Sequence, residues 1–233
     1  PERRSGIVPA PGPLDILYED GDMVVLNKAP GVSVHPGPGH FDDTLGNFLL
    51  YYYDLEGETA DFHPVHRLDR GTSGLLAAAK HPHAQEVLKN QLHTNAFRRT
   101  YLAVCEGVPQ PLEGTIEAPL GPRPGSLMEQ MVRPDGKFAR TRYKVLGTYG
   151  GRALVKLQLD TGRTHQIRVH MAYMGHPLTG DFLYGEENRA LIGRPALHSA
   201  RLELRHPVTG EQMIFSAPVP QDMENLVSAG QDF

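Results

Sequence analysis

Cysteine is almost absent from this chain: Cys105 is the only one in 233 residues. A single thiol excludes an internal disulfide and any multi-cysteine zinc or iron–sulfur site. Its setting, "YLAVCEG", is apolar and strand-like, so the expected state is an inert packed thiol. A reduced, cytoplasmic location fits. Long hydrophobic runs are also missing. None approaches the roughly 18 residues of a membrane span, and "PERRSGIVPAPGP" at the start has no signal-peptide core. Nor is there an excess of positive charge. Lys and Arg number 23 against 27 Asp and Glu, a formal net charge of −4, where a generic nucleic-acid binder is strongly basic. Cofactor signatures are absent too: "HPGPGH" lacks the Lys-Ser/Thr of a phosphate loop, and no GxGxxG follows a strand.

What is present reads as a globular enzyme-sized chain. Apolar content is 39% and charged content 21%, ordinary for a soluble domain with a real core. Residues 1–13 are rich in proline and read as a tail or linker remnant, leaving 14–233 as one domain, with two sub-lobes allowed. "DILYED" and "MVVLNK" predict a hairpin, and "APGVSVHPGPGH" a loop. Leu45, Phe48, Leu49 and Tyr52 recur at helical spacing behind Asp43 or Thr44 as cap. "GLLAAAK" predicts a buried strand, "HPHAQEVLKNQLHT" a helix, and "RRTYLAVCEG" a strand. Residues 107–137 read as loop with short strands. "ARTRYKVLGTYG" and "RALVKLQLDTG" predict a second hairpin around Gly150 and Gly151. A helix opening at about Thr164 carries Ile167, Met171 and Met174 on one stripe and closes at Gly175. Two strands, "ALHSARLELRHP" and "EQMIFSAP", finish the chain. Strands outnumber helices and hairpins dominate, which predicts an α+β fold with a mixed, mainly antiparallel sheet and flanking helices.

Arginine, although not abundant, is clustered: Arg67 and Arg70, Arg98 and Arg99, Arg140 and Arg142, Arg163 and Arg168. "HRLDRGTSGLL" places Asp69 between Arg67 and Arg70. Neighbouring positive charge favours the ionised carboxylate, which is then either a structural ion-pair partner or a nucleophile and base. In "DTGRTHQIRVH", His165 and Arg168 are three apart and predicted to share a helix face. Arg168 suits either a second ion pair to a buried carboxylate or a solvated salt bridge. Tyr101 in "RRTYLAV" is either a packing tyrosine or an aromatic platform for a base, with adjacent arginines meeting phosphates. Twelve histidines invite a metal reading, but the proline between His63 and His66 disfavours a shared helical turn. Neither that pair nor His165 and His170 forms HExxH. No metal is expected.

Taken together these stretches resemble the RluA-type family of RNA pseudouridine synthases. "HRLDRGTSGLL" is similar to its catalytic motif almost letter for letter. "ILYEDGDMVVLNKAPGVSVHPG", "RRTYLAVCEG", "LDTGRTHQIRVHMAYMGHPLTGD" and "LHSARLELRHPVTGE" resemble its other motifs in the expected order, across roughly residues 14–218. The resemblance implies the pseudouridine synthase catalytic fold with a central cleft, and an isomerase of uridines in structured RNA, ribosomal RNA favoured and transfer RNA the alternative. It implies Asp69 as catalytic aspartate, Tyr101 as the tyrosine against the base, and Arg168 as the arginine paired with the aspartate. It implies that Arg67 enters the RNA stack, and that His66, Thr72 and Ser73 shape the loop. Arg70 would serve the motif or a phosphate, and Arg163 and His165 the RNA. No metal or cofactor is implied.

Asp69 would attack the uracil ring or the ribose anomeric carbon, or assist glycal formation by deprotonation. The target nucleotide would be flipped out at a cost of a few kcal/mol. Two departures stand out: "LNKAPG" has alanine before proline where Lys-Pro is usual, and Arg99-Thr100-Tyr101 has arginine where many relatives have lysine. The N-terminal RNA-binding domain common in the family is expected to be absent from this chain, and the protein is expected to be a monomer. Two rivals are a non-catalytic RNA-binding relative, which should have lost one of Asp69, Tyr101 and Arg168, and a metal-dependent hydrolase, which should carry stoichiometric metal.

Overall fold

The computed structural model describes residues 5–92 and 94–228, which divide into two compact units. Of these described residues, the first unit takes 5–92, 94–98 and 201–217, and the second 99–200 and 218–228.

In the first unit, strands β1 (Ile16–Glu19) and β2 (Met23–Lys28) form the expected hairpin, and β2 pairs antiparallel with β4 (Ser73–Ala79). Both β2 and β4 are buried nearly throughout, which is why their sequences are continuous apolar runs and not alternating ones. A two-residue strand, β3 (His63–Pro64), lies on β4. Helix α1 (Leu45–Leu55) begins at Thr44 as foreseen. Asn47, three residues on, accepts from both the Thr44 backbone and its hydroxyl, a capping box with Asn in the acidic position. The Asn47 amide then donates to the Val8 and Phe41 carbonyls at 2.7 and 2.9 Å. Residues 5–12 therefore lie along α1. A Cβ on Gly12 would sit 2.2 Å from the Phe48 ring, so only glycine lets the chain approach this closely. Residues 1–4 of the segment read as a tail lie outside the described residues. Helix α2 (Pro82–Gln91) starts with Pro at its first turn behind His81, whose Nδ1 accepts from Ala84 N–H. Its Ala84 and Leu88 join Met23, Val25, Leu75 and Leu202 in one core.

The second unit is built on β5 (Arg98–Glu106), β10 (Arg152–Leu159), β9 (Arg140–Tyr149) and β6 (Glu113–Glu117), antiparallel in that order. Gly150 and Gly151, at φ of 53° and 81°, turn the β9–β10 hairpin. A separate hairpin joins β7 (Leu120–Pro122) to β8 (Gln130–Val132). Strand β11 (Leu197–Arg205) contributes to both units, and its later half pairs with β12 (Gln212–Ser216). The class is α+β with a mostly antiparallel sheet.

Two elements differ from expectation. Helix α3 (Gln166–Tyr173) begins at Gln166 and not at Thr164. His165 has φ 55° and ψ 20°, the left-handed region, so it precedes the helix and shares no helical face with Arg168. And α4 (Gln221–Ser228) was not foreseen. Its Met223 and Leu226 are buried against Val104, Ile192 and Ala196, and the Asp222 carboxylate is held by buried Arg194 at 2.7 and 2.9 Å. The signal was there in an acidic first turn after Pro220 and in the three-residue spacing, but eight residues are too few to form a helix unaided.

Cys105 is buried, and burial pushes its thiol up to about 12, as the inert reading requires. His170 on α3 is also buried. Its Nδ1 meets Thr141 Oγ1 and its Nε2 the Ala118 carbonyl, each at 2.9 Å. Burial lowers its pKa, as it does those of His35 and His63. A lowered histidine pKa means that the unfolded chain takes up protons first, so stability is complete above the ordinary value near 6.5 and falls as pH drops below it. We predict a melting temperature that declines from pH 7 to pH 5, with a shallower decline in His170→Gln.

Candidate active site

The stretch carrying Asp69 is a turn at the entrance to β4, stabilised by a hydrogen bond from Thr72 N to the Asp69 carbonyl at 3.0 Å. Asp69 is partly exposed, between buried Leu68 and exposed Arg70. Thr72 and Ser73 are buried. Arg70 Nε donates to the Gly31 carbonyl at 2.8 Å, and its own carbonyl accepts from Gly31 N at 2.8 Å. Its side chain thus ties this turn to the Ala29–Val32 loop. Arg67 is exposed, and among the described residues no hydrogen bond or ion pair engages it. His66 is buried, accepts from Ala77 N at 3.3 Å, and meets Phe97 edge-on.

Lys28, not singled out from the sequence, anchors the same turn. It is 1% exposed, and its ammonium donates to the carbonyls of Ala29, Val32 and Arg70 at 2.9, 2.8 and 3.2 Å. An ammonium has three donors, and three carbonyls accept them, which is the condition for holding such a charge away from water. Because it ends an apolar strand, Lys28 reads in sequence as a solvent-facing terminus, and only the two loops that close over it show otherwise. Lys28→Met should cost about 3 kcal/mol by leaving charged hydrogen bonds unmade. Urea unfolding would measure it.

In the second unit, Tyr101 lies on β5 opposite Leu157 of β10 and is buried. Arg99, two residues earlier, is buried against the turn before α3: a Cβ on Gly162 would be 3.1 Å from its Nη1. That turn is organised by Gln166, which is 2% exposed. Its Oε1 accepts from Thr161 Oγ1 and Arg163 N, and its Nε2 donates to the Arg140 carbonyl and Thr141 Oγ1, all within 2.8–3.0 Å. Arg163 itself is exposed.

Arg168, in the first turn of α3, forms a bidentate ion pair with Asp181, Nε and Nη2 each 2.7 Å from a carboxylate oxygen. The side chains are 5% and 0% exposed. Asp181 Oδ1 also accepts from Leu183 N and Tyr184 N at 3.0 and 3.2 Å. The Arg168 guanidinium lies 5.0 Å from the Tyr184 ring centroid and 5.9 Å from that of Phe182. The Tyr184 hydroxyl meets His165 Nδ1 at 2.7 Å and accepts from Gln130 N at 2.8 Å. Arg168 is therefore aimed by a carboxylate and two rings from "GDFLYG", and His165 belongs to the same network through Tyr184. Asp181 closes one of the quoted motifs, yet the sequence carried no sign that it was buried or which cation it met.

One group within the first unit could be taken for metal ligands: Asp20, Asp22 and His206, with ligand atoms within 4.8 Å of one another. Hydrogen bonds account for it. His206 Nδ1 accepts from Val208 N and Thr209 N, so Nε2 carries the proton and donates to Asp20 at 2.6 Å. Asp20 also accepts from Tyr18, Asp22 N and Met23 N. Its burial opposes ionisation, but these donors outweigh it and bring its pKa down to about 2.

A family model described as RNA pseudouridylate synthase matches residues 22–173, which include Asp69, Tyr101 and Arg168. The chain belongs to that family. Relatives extend the match beyond those bounds. The uncharacterized RNA pseudouridine synthase YjbO of Bacillus subtilis is 48% identical over 217 residues, 93% of this chain and 76% of the relative. Ribosomal large subunit pseudouridine synthase D of Salmonella typhimurium is 41% identical over 230 residues, 93% of this chain and 70% of the relative. Among solved structures, human RNA Pseudouridylate Synthase Domain Containing 4 superposes with a TM-score of 0.73 at 26% identity, covering 92% of each chain. The protein is an RNA pseudouridine synthase, an isomerase, with the pseudouridine synthase fold. No described helix is long and apolar enough to cross a membrane.

Proposed function

We propose that this pseudouridine synthase isomerises a uridine of large-subunit ribosomal RNA, with Asp69 as its reacting carboxylate. The single observation that favours ribosomal RNA is the 41% identity, across 93% of the chain, to a synthase whose name specifies the ribosomal large subunit. The N1–C1′ bond of the flipped uridine breaks, the uracil turns, a C5–C1′ bond forms, and the C5 proton leaves to solvent while N1 gains one. Asp69 acts as nucleophile or base in that exchange. Tyr101 offers its ring to the uracil, Arg168 supplies a cation for the reaction, and exposed Arg67 holds the gap left by the flipped nucleotide. The rigid pairing of Arg168 with Asp181 supports a positioning role, since a guanidinium held on two sides loses no orientation when substrate binds.

The test is release of tritium from RNA labelled at C5 of uridine, with protein-free large-subunit ribosomal RNA and bulk transfer RNA offered separately. Release from ribosomal RNA alone is the expected result. Release from transfer RNA alone would overturn the substrate assignment, and release from neither would overturn activity on free RNA.

A further inference from the structure

The turn that leads into α3 forms one wall of a cleft of about 450 Å³ lying wholly within the second unit. The β7–β8 hairpin and the turn after it form the other. Three cations line it, Arg133, Lys137 and Arg163, with one carboxylate, Asp135. Among the described residues Asp135 pairs with Arg133, whose Nη2 meets it at 2.7 Å while Nη1 donates to the Pro122 carbonyl at 3.0 Å. That pair shapes the turn and leaves the cleft with two uncompensated positive charges.

The other polar side chains lining the cleft, Arg163, Lys137, Gln130 and Thr164, all carry hydrogen-bond donors. Arg163 uses Nε on the Phe138 carbonyl at 3.0 Å. Among the described residues, no hydrogen bond or ion pair engages its terminal nitrogens, the Lys137 ammonium, the Gln130 side-chain amide or the Thr164 hydroxyl. Arg163, Lys137 and Thr164 are exposed to solvent. Donors converging on one concavity, with two net positive charges in a chain of net charge −4, suit a ligand with several anionic acceptor oxygens.

We propose that this cleft binds a backbone phosphate of the RNA substrate, with Arg163 and Lys137 as its cationic contacts and Thr164 and Gln130 as neutral donors. The assignment rests on the RNA reading above, because a phosphodiester is the anion such a substrate presents. The contact contributes affinity and register along the strand and is indifferent to base identity. It also gives an acidic protein a local means of holding a polyanion.

Fluorescence anisotropy of a labelled mixed-sequence RNA, titrated with the full chain across a range of salt, tests it without relying on turnover. Two variants lower the net charge equally: Lys137→Gln with Arg163→Gln in the cleft, and Arg152→Gln with Lys156→Gln on β10. Losing this one phosphate contact should flatten the slope of log K against log salt by about 0.7 for single-stranded RNA, while the β10 pair leaves it unchanged. Equal flattening by both pairs would reduce the effect to net charge and overturn the subsite. So would an unaltered slope in the cleft variant, or no measurable RNA binding by the unaltered chain. A cleft-specific loss of slope in a protein that releases no tritium would uphold the subsite and overturn only the proposed activity on free RNA.

Discussion

Asp69→Asn should abolish tritium release from C5-labelled ribosomal RNA, by at least about a thousandfold, as removal of an essential nucleophile or base does elsewhere. The substitution is nearly isosteric. The turn that presents residue 69 is closed by its backbone carbonyl, which accepts from Thr72 N, and Lys28 and Arg70 hold the flanking loop through further contacts. The melting temperature should therefore stay within about 3 °C of the unaltered protein. That combination separates chemistry from architecture. An Asp69→Asn protein that folds, binds RNA and still isomerises at a comparable rate would remove Asp69 from the mechanism.

Asp181→Ala should have the largest effect on stability, because it strands a buried guanidinium. Removing one partner of a fully buried ion pair costs about 3–5 kcal/mol, and the Leu183 and Tyr184 amides lose their acceptor as well. For a chain of this length the melting temperature should fall by about 10 °C. Asp181→Asn, which retains an acceptor oxygen but no charge, should fall part-way. Positioning is read separately, well below either melting point. There Asp181→Asn should lower kcat for tritium release more than it raises KM, since a mis-aimed Arg168 weakens the reacting state and not RNA docking. A variant that loses stability while its kcat and KM stay at the unaltered values would reduce Asp181 to scaffolding.

These two residues also show where the sequence was informative. The eleven letters around Asp69 drew attention to it but left an ion-pair partner and a reacting group both open, and the resemblance across residues 14–218 implied the second. Strands β2 and β4 were legible directly: each is an apolar run bounded by turn residues. Asp181 was not legible. It sits in "PLTGDFLYG", which reads as loop, and its importance comes from a cation 13 residues away that reaches it only after α3 and the following turn have folded. Lys28 was missed on the same grounds. A lysine at the end of a strand ordinarily faces water, and here it becomes buried because two loops supply three carbonyls.

The start of α3 is a further case. Periodicity put it at Thr164, but the bonds from Gln166 to Thr161, Arg163, Arg140 and Thr141 close the turn first. They leave His165 in a left-handed conformation that its sequence neighbours do not require.

By itself, then, the sequence indicated the fold class and the succession of the main strands along the chain through local pattern and residue type, and the family and its candidate reacting groups through motifs in a set order. Tertiary structure alone decided which charges are paired and which remain available to a substrate. Arg168 and Arg163, five residues apart in one motif, ended in opposite states, the first buried against Asp181 and the second exposed at the mouth of a cleft. Whether an arginine is satisfied depends on acceptors brought from distant parts of the chain, and that information does not exist until the chain has folded.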